Sequence, residues 1–384
     1  MPSGNTDMVD ETFEPCARVS RISIEDGHTG PAADRLTLAI FEVGGLPVGS
    51  QWVSAGEVPK ADTETLARAG RAVPNAPDLA EIRISVIICT RDRPDELDRC
   101  LAGFASQSRV PDEIVVVDNA SVSDRIRSIA EKHGARYLRE DRAGLDFARN
   151  TGAMAATGDL LLYTDDDTEL HRDWIAHLAA AFDQPHVMAV TGLVLPARLD
   201  TEAQLLFERA WGFGRGFKRI DFGPEFWEQT KRRGCPTWEI GAGASMGFRR
   251  EVFDHVGYFD ERLGAGQSGC SDDSEFWYRI LAAGFTCRYE PTAVIWHHHR
   301  IGMDGLGSQI YQYMRGHAAA LLVQYEKSGE GGNLRRLFVD LPRYYASLAV
   351  GYLRGRREPQ ARFLARQVGG VLSGVVFYLR NRRS

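Results

Sequence analysis

From residue 84 onward, short apolar runs alternate with segments of helical periodicity. The runs at residues 84–89 and 113–117 have the length and the β-branched composition of buried strands, and between them Leu97, Leu101 and Phe104 fall on one helical face. Alternation of this kind is typical of βαβ units, in which parallel strands form one sheet and helices pack on it. The pattern therefore predicts an α/β fold with a mostly parallel sheet.

The strand predicted at residues 158–164 carries the strongest functional signal. A glycine and an aspartate lead into its apolar run, and the run ends in Asp165, Asp166 and Asp167. Three adjacent carboxylates repel one another and resist burial, so they must be solvated or neutralised by a cation. Mg²⁺ and Mn²⁺ take oxygen ligands, and Mg²⁺ often combines one or two carboxylates with phosphate oxygens. Two interpretations stay open at this point: a metal site for a nucleotide diphosphate, and a solvated acidic turn that caps the helix near Trp174.

Polar side chains follow the other predicted strands as well. Thr90 and Arg91 follow the first strand, Asp118 follows the second, and Arg149 with Asn150 is expected at a further strand tip. In open α/β sheets, ligands bind outside the carboxyl ends of the strands. We therefore expect these side chains to surround one site. The sequence has no G-x-G-x-x-G or Walker A loop after the first strand, which argues against a dinucleotide fingerprint.

The regions that flank this central part differ from it in composition. Residues 18–24 and 36–43 predict a small β-rich extension, and the proline-rich stretch 73–77 predicts a linker to a central domain that begins near residue 81. The predicted division is 1–80 for the extension and linker, 81–305 for the central domain, and 306–384 for a helical, arginine-rich extension.

The six cysteines form no C-x-x-C pair, which argues against a zinc site or a disulfide framework.

The arginine-rich end polarises the charge of the chain. Residues 333–384 contain eleven arginines and two acidic residues, whereas the whole chain has a net charge of −6. A basic amphipathic segment can lie on an anionic membrane surface. The alternative is a pair of helices packed on the central domain with solvated arginines, and both interpretations stay open. Because the sequence shows no secretory signal and no apolar run of roughly 18 residues, we expect a cytoplasmic protein, peripheral at the inner face of the cell membrane if the first interpretation holds.

An ordered series of motifs in the central region resembles the family 2 glycosyltransferases, which have the GT-A fold. Each motif is weak alone, but their order and spacing together make a strong signal. The motifs lie at residues 85–93, 114–121, 148–152, 156–167, 247–253, 256–261, 271–275 and 291–297.

The resemblance implies a GT-A fold, Rossmann-like with a mostly parallel sheet flanked by helices, and a defined reaction. Such enzymes move a sugar from a nucleotide-diphosphate sugar to an acceptor hydroxyl with inversion at the anomeric carbon, and they use Mn²⁺ or Mg²⁺. The implied partners are the donor and a glycan or lipid-linked acceptor, and no nucleic-acid partner is implied. The implied process is cell-surface polysaccharide or glycolipid synthesis.

The resemblance also implies roles for single residues. An acceptor hydroxyl is a poor nucleophile at neutral pH, so a positioned carboxylate must take its proton. Asp273 matches the family's base, with Asp272 beside it where many relatives have Glu, and either aspartate could instead cap the helix that follows. The donor-binding residues are Thr90, Arg91, Asp118, Arg149, Asp165 and Asp166, and the metal ligands are Asp167, Asp165 and His297.

Two other functions remain as alternatives. A sugar nucleotidyltransferase has a related fold, but a glycine-rich loop would be expected after the first strand, and residues 90–94 do not form one. The other alternative is a non-catalytic domain that binds a nucleotide or a glycan.

Aromatic residues are dense in residues 205–238, where aromatic rings could pack in the core or support a sugar ring.

Overall fold

The N-terminal part of the chain forms a small sheet of its own. The computed structural model describes residues 16–25, 30–70, 81–356 and 358–382, so the predicted linker at 73–77 lies outside the described residues. The first strand of this sheet runs parallel to the second, and the second runs antiparallel to the third across the turn at Gly44 and Gly45, both of which have positive φ. The predicted β-rich extension is therefore present. Its elements are β1 Arg18–Ser23, β2 Thr37–Val43, β3 Leu46–Val53 and α1 Thr63–Ala69.

Four parallel strands with intervening helices begin the main sheet, as the alternating pattern predicts. One expectation was wrong: Arg149 and Asn150 do not follow a strand but lie in a helix, because the helical turn starts directly after Gly144. The elements are β4 Ile84–Thr90, α2 Pro94–Ala102, β5 Glu113–Asn119, α3 Arg125–Lys132, β6 Arg136–Glu140, α4 Leu145–Ala155 and β7 Leu160–Asp165.

The next part of the chain completes a nine-stranded sheet with antiparallel additions. The elements are β8 Thr168–Leu170, α5 Trp174–Ala180, β9 Val187–Pro196, α6 Glu202–Trp211, β10 Ile220–Phe222, α7 Pro224–Thr230, β11 Ser245–Arg249, α8 Val252–Val256, α9 Asp272–Ala282 and β12 Thr286–His297. The strand order is β10-β12-β9-β11-β7-β4-β5-β6, and β8 pairs with β12 outside this path. Strand β11 runs antiparallel between β7 and β9.

Both faces of the main sheet are buried. Along β7, Leu160 and Leu162 point into one apolar layer, whereas Leu161 and Tyr163 point into the other. Successive side chains of a strand alternate between faces, so a strand covered on both sides must be apolar throughout. This burial explains why the run that ends at the aspartate triplet contains no charged residue after Asp159.

The C-terminal part is helical and packs against the central domain. Its elements are α10 Met303–Ser328, α11 Gly331–Arg335, a π-helical turn Arg336–Asp340, α12 Leu341–Leu353 and α13 Leu364–Arg380, and short 3₁₀ helices occur at Gly103–Ser106, Lys231–Arg233, Thr237–Glu239 and Pro359–Phe363. Helix α10 ends where Gly329 adopts a left-handed conformation (φ 71°), a common helix stop. Among the described helices, none combines the length and the hydropathy that a membrane crossing requires.

Candidate functional site

A cleft of about 1480 Å³ lies at the carboxyl ends of β4 and β7. Most of the side chains expected at the site line this cleft. They are Thr90, Arg91, Arg149, Asp165, Asp166, Asp167, Asp272, Asp273 and His297. The structure does not bring Asp118 into the cleft wall; its neighbour Asn119 lies there instead.

The three consecutive aspartates do not face the same way. Asp166 is only 4% exposed, and its carboxylate accepts hydrogen bonds from the Thr90 hydroxyl (2.7 Å) and from Arg93 (2.7 Å). Asp165 and Asp167 are partly exposed. Both oxygens of Asp166 are therefore used within the protein, and the outer two aspartates remain for a ligand.

His297 reaches the aspartates through strand pairing. It is the last residue of β12, and β12 pairs with β8 so that His297 lies opposite Thr168, directly after the triplet. Its Nε2 atom is 3.3 Å from Oδ1 of Asp167. One ligand atom each from Asp165, Asp167 and His297 lies within 4.8 Å of the others, which is close enough to hold one metal ion. Two carboxylates and an imidazole suit Mn²⁺ well and Mg²⁺ less well, because Mg²⁺ prefers oxygen ligands.

Arg93 is the cation that neutralises the triplet. It donates to Asp166 and, over 2.8 Å, to Asp167. Burial raises the pKa of Asp166 to about 7 and that of Asp165 to about 6. Burial also opposes the ionisation of Asp167, but its interactions with His297 and with Arg93, which donates a hydrogen bond to it, outweigh burial and hold the pKa of Asp167 below its usual value. Because burial lowers the pKa of His297 to about 4, that imidazole is neutral at pH 7 and Arg93 supplies the permanent charge.

Sequence reasoning missed Arg93, although a cation among the three carboxylates was one of its two alternatives. The available signal was the position of Arg93 three residues after Thr90, in the loop that leaves the neighbouring strand β4. Strands β4 and β7 are adjacent and parallel, so their carboxyl-terminal loops must meet.

Asp272 and Asp273 have different surroundings although they are adjacent. Asp272 is buried and contacts the Arg149 guanidinium. Burial raises the pKa of Asp146, the other carboxyl beside Arg149, to about 8. Asp273 is partly exposed to the cleft, and its carboxylate accepts from the backbone N–H groups of Gly243 (2.9 Å) and Ser274 (2.6 Å).

The start of α9 fixes this difference. The N-cap residue is Ser271, in a left-handed conformation (φ 66°), and not one of the aspartates. Both aspartates lie in the first helical turn, where the helix dipole favours negative charge. Successive residues of a helix point about 100° apart, so one carboxylate enters the core while the next faces the cleft.

Asp118 holds the neighbouring strand ends together. Its carboxylate is fully buried and accepts from the Ser121 N–H (3.1 Å), the Tyr137 hydroxyl (2.8 Å) and Arg139 (2.8 Å). Tyr137 and Arg139 belong to β6, so this aspartate ties the end of β5 to the next strand. These contacts leave it a role in shaping the loop that presents Asn119.

The wall of the cleft opposite the strand ends comes from later parts of the chain. Three residues of the aromatic-rich region line it, namely Trp211, Phe213 and Trp238. The C-terminal helices also contribute, with side chains that were not among the predicted site residues. These are Gln309, Gln312, Tyr313, Met314, Arg315, His317, Arg336, Tyr344 and Tyr345.

Residues 85–257 match the family model described as glycosyl transferase family 2. A TPR repeat-containing protein of Synechococcus elongatus is 34% identical over 193 residues, which cover 48% of this chain and 44% of that protein. The glucosyl-dolichyl phosphate glucuronosyltransferase of Haloferax volcanii is 25% identical over 193 residues, covering 48% of this chain and 58% of that protein. The chain thus spans about half the length of these relatives.

A mannosyltransferase from Pyrobaculum calidifontis, solved in complex with GDP-Man and Mn²⁺, has a similar structure. The TM-score is 0.51 at 18% sequence identity, and the alignment covers 82% of this chain and 92% of that one. This likeness shows that the GT-A fold predicted from the sequence motifs is present.

Proposed function

We propose that this chain, which carries a glycosyl transferase family 2 domain over residues 85–257, transfers a sugar from a nucleotide-diphosphate sugar to an acceptor hydroxyl with inversion and with the help of Mn²⁺ or Mg²⁺. One observation carries the proposal. Asp165, Asp167 and His297, which are up to 132 residues apart in the sequence, meet in the same cleft as the partly exposed Asp273.

Asp165, Asp167 and His297 would hold the metal ion. Their donor set and spacing fit a divalent cation, and Asp167 stays ionised because Arg93 lies beside it. When bound, the cation would stabilise the charge of the departing diphosphate. Arg91 directly follows β4 and is half exposed in the cleft, and we assign it to binding of the nucleotide phosphates or base.

Asp273 is the group that we assign as base. The N–H groups of Gly243 and Ser274 fix its carboxylate, so the free lone pairs point in a set direction. The acceptor hydroxyl loses its proton to Asp273 as its oxygen bonds to the anomeric carbon, while the bond from that carbon to the diphosphate oxygen breaks. Asp272 is excluded from this role because it is already paired with Arg149.

We also propose a lipid-linked or glycan acceptor, in cell-surface polysaccharide or glycolipid synthesis. Two observations support it. The relative from Haloferax volcanii is named for a dolichyl phosphate substrate. In this chain, Leu353, Leu372 and Leu379 on α12 and α13 are each more than 60% exposed, and arginines such as Arg354 and Arg380 lie next to them. A surface of this kind fits an anionic membrane at its cytoplasmic face.

The test is thermal stability in the presence of a panel of nucleoside diphosphates, each with and without Mn²⁺. A ligand that binds the folded state raises the melting temperature, so one diphosphate should stabilise the protein, and only with Mn²⁺. Asp167→Ala should abolish this effect, whereas Glu169→Gln should keep it, because Glu169 is an exposed carboxylate two residues away. Asp273→Asn should still bind the diphosphate and lose at least about 100-fold in sugar transfer.

The configuration of the product, followed by NMR, tests inversion. If no diphosphate stabilises the wild type with Mn²⁺, the transferase proposal fails and a non-catalytic domain becomes the better account. Release of pyrophosphate from a nucleoside triphosphate and a sugar phosphate would instead indicate a sugar nucleotidyltransferase.

A further inference from the structure

Arg336 lies in the cleft wall and forms no ion pair with a carboxylate of the described residues. It is the first residue of the π-helical turn, and its guanidinium stacks on the ring of Trp238 with 3.9 Å between the guanidinium carbon and the ring centroid. Its Nε atom donates to Nε2 of His317 (3.3 Å). In the described part of the chain, no carboxylate lies within ion-pair distance of Arg336. Asp340, in the same π-helical turn, lies 3.6 Å from Arg335 instead.

Arg215 also contacts Trp238. Its terminal nitrogens donate to the backbone carbonyls of Gly212 (2.9 Å) and Trp238 (2.9 Å), and its buried Nε has no partner among the described residues. It too forms no ion pair with a described carboxylate. Two guanidinium groups therefore meet at one tryptophan, the first bound to its carbonyl and the second stacked on its ring.

The two arginines are partly buried and differ from the buried Arg262 and Arg288. The hydrogen bonds that Arg262 and Arg288 donate to Asp260 and Asp221, respectively, raise the pKa of these two guanidinium groups. Burial instead lowers the pKa of both Arg215 and Arg336, and the charges of Glu239 and other acidic groups only partly offset it. Partial burial of a cation without an ion-pair partner costs free energy, so two such guanidinium groups in one cleft indicate a site for an anionic ligand.

The backbone around Arg336 is also unusual. A π-helical turn is rare and occurs most often at functional sites, because it shifts the side chains that follow. Here the turn is followed by Tyr344, which is 45% exposed, and Tyr345, both of which line the cleft beside Arg336. The site thus combines two cations with aromatic surface.

We propose that Arg336 and Arg215, which both contact Trp238, bind a phosphate group carried by the acceptor. This inference rests on the proposed function and names the class of its acceptor. A planar guanidinium matches the oxygens of a phosphate with two parallel hydrogen bonds, and two such groups provide charge for a phosphomonoester or a diphosphate. The phosphate belongs either to a lipid-linked acceptor or to a soluble sugar phosphate, because the two share this chemistry.

The test is phosphate binding to the metal-free protein, in chelator, by isothermal titration calorimetry. Inorganic phosphate should bind the wild type, and Arg336→Gln should weaken this binding by about 10-fold or more, the cost of losing a charge-assisted contact. Arg335→Gln is the matched control: it removes the same charge from the adjacent residue, which does not line the cleft, and should leave the affinity unchanged. Arg336→Lys keeps the charge and should fall between the two, which separates lost contact from misfolding.

Asp167→Ala separates this inference from the proposed function. It should lose the Mn²⁺-dependent binding of a nucleoside diphosphate and keep the Arg336-dependent binding of phosphate. Equal phosphate affinity in the wild type and Arg336→Gln would overturn the inference, even if a nucleoside diphosphate binds with Mn²⁺. If the wild type binds no nucleoside diphosphate, the proposed transferase function is contradicted, but the inference about the phosphate site is not.

Two organic phosphates distinguish the sources. Geranyl phosphate that binds more tightly than glucose 1-phosphate, in an Arg336-dependent manner, supports a lipid-linked acceptor. The reverse order supports a soluble sugar phosphate at the same subsite.

Discussion

A line of hydrogen bonds extends from His297 away from the candidate metal site. Nδ1 of His297 lies 3.1 Å from Nδ1 of His299, and Nε2 of His299 lies 3.0 Å from Oε2 of Glu208. If Nε2 of His297 ligates a metal ion, its Nδ1 carries the proton and donates to His299, which in turn donates to Glu208. In our proposal, Glu208 is therefore a positioning residue that sets the tautomers of both rings.

We predict that Glu208→Ala weakens Mn²⁺ binding by about 10-fold, because a metal-binding histidine loses affinity when its outer partner is removed. Glu202→Ala on the same helix is the control, since Glu202 pairs with the exposed Arg362. Electron paramagnetic resonance of free Mn²⁺ measures both affinities. Equal affinity in Glu208→Ala and the wild type would show that His297 needs no such support.

For single residues, the sequence predicted which side chains meet in the cleft better than it predicted the directions in which they point. The triplet could be singled out because three charged residues end an apolar strand. That Asp166 turns inward to Thr90 and Arg93 depends on how β7 is rotated against β4, and no residue pattern encodes that rotation. Similarly, the split between Asp272 and Asp273 depends on where α9 begins.

Among the helices, α10 and α13 approach each other unusually closely. The Cα atoms of Gly370 and Gly374, four residues apart on α13, leave no room for a side chain, because an added Cβ would lie 2.4 Å from the carbonyl oxygen of Tyr311 and 2.2 Å from that of Arg315. Residues four apart share one face of a helix, so the two glycines form a single groove for α10.

We predict that Gly370→Ala lowers the free energy of unfolding by about 1–3 kcal/mol, because the new methyl group must push the two helices apart. Gly369→Ala is the control: its Cβ would meet Tyr311 at an ordinary 3.7 Å, and alanine favours a helix by about 1 kcal/mol over glycine. Urea denaturation compares the two. Similar stability of both variants would mean that α13 shifts freely on α10.

The elements that the sequence did not predict are those that depend on long-range pairing. Strand β11 is only five residues long and gains its conformation from β7 and β9 on either side. The π-helical turn has no characteristic residue pattern, because its geometry follows from how α11 and α12 are joined. Long apolar strands and helices, by contrast, carry a periodicity that reveals them locally.

Over the whole molecule, the cleft crosses the predicted division at residue 305. The central domain supplies the carboxylates and His297, and the C-terminal helices supply Arg336 and the tyrosines of the opposite wall. The arginine-rich end was predicted either to pack on the central domain or to lie on a membrane. In our proposal these helices do both: some of their side chains line the cleft, and their exposed leucines contact the membrane.

We predict that the protein sediments with vesicles that contain phosphatidylglycerol and not with pure phosphatidylcholine, and that salt weakens the association. Leu353→Asp combined with Leu372→Asp should reduce the bound fraction several-fold. The double variant loses apolar side chains that would enter the membrane, and its new carboxylates are repelled by the anionic lipid. Leu66→Asp is the control, since Leu66 is a similarly exposed leucine in the N-terminal part. Unchanged sedimentation of the double variant would contradict a membrane-facing role for α12 and α13.

The pairing of β12 with β8 has a consequence for the order in which the protein becomes competent. A ribosome that has just added Asp167 has made two of the three candidate metal ligands, and it must add roughly 130 further residues before His297 emerges. The arginine and tyrosines of the opposite wall follow later still. A nascent chain therefore cannot bind the metal ion with all three candidate ligands until His297 has been added.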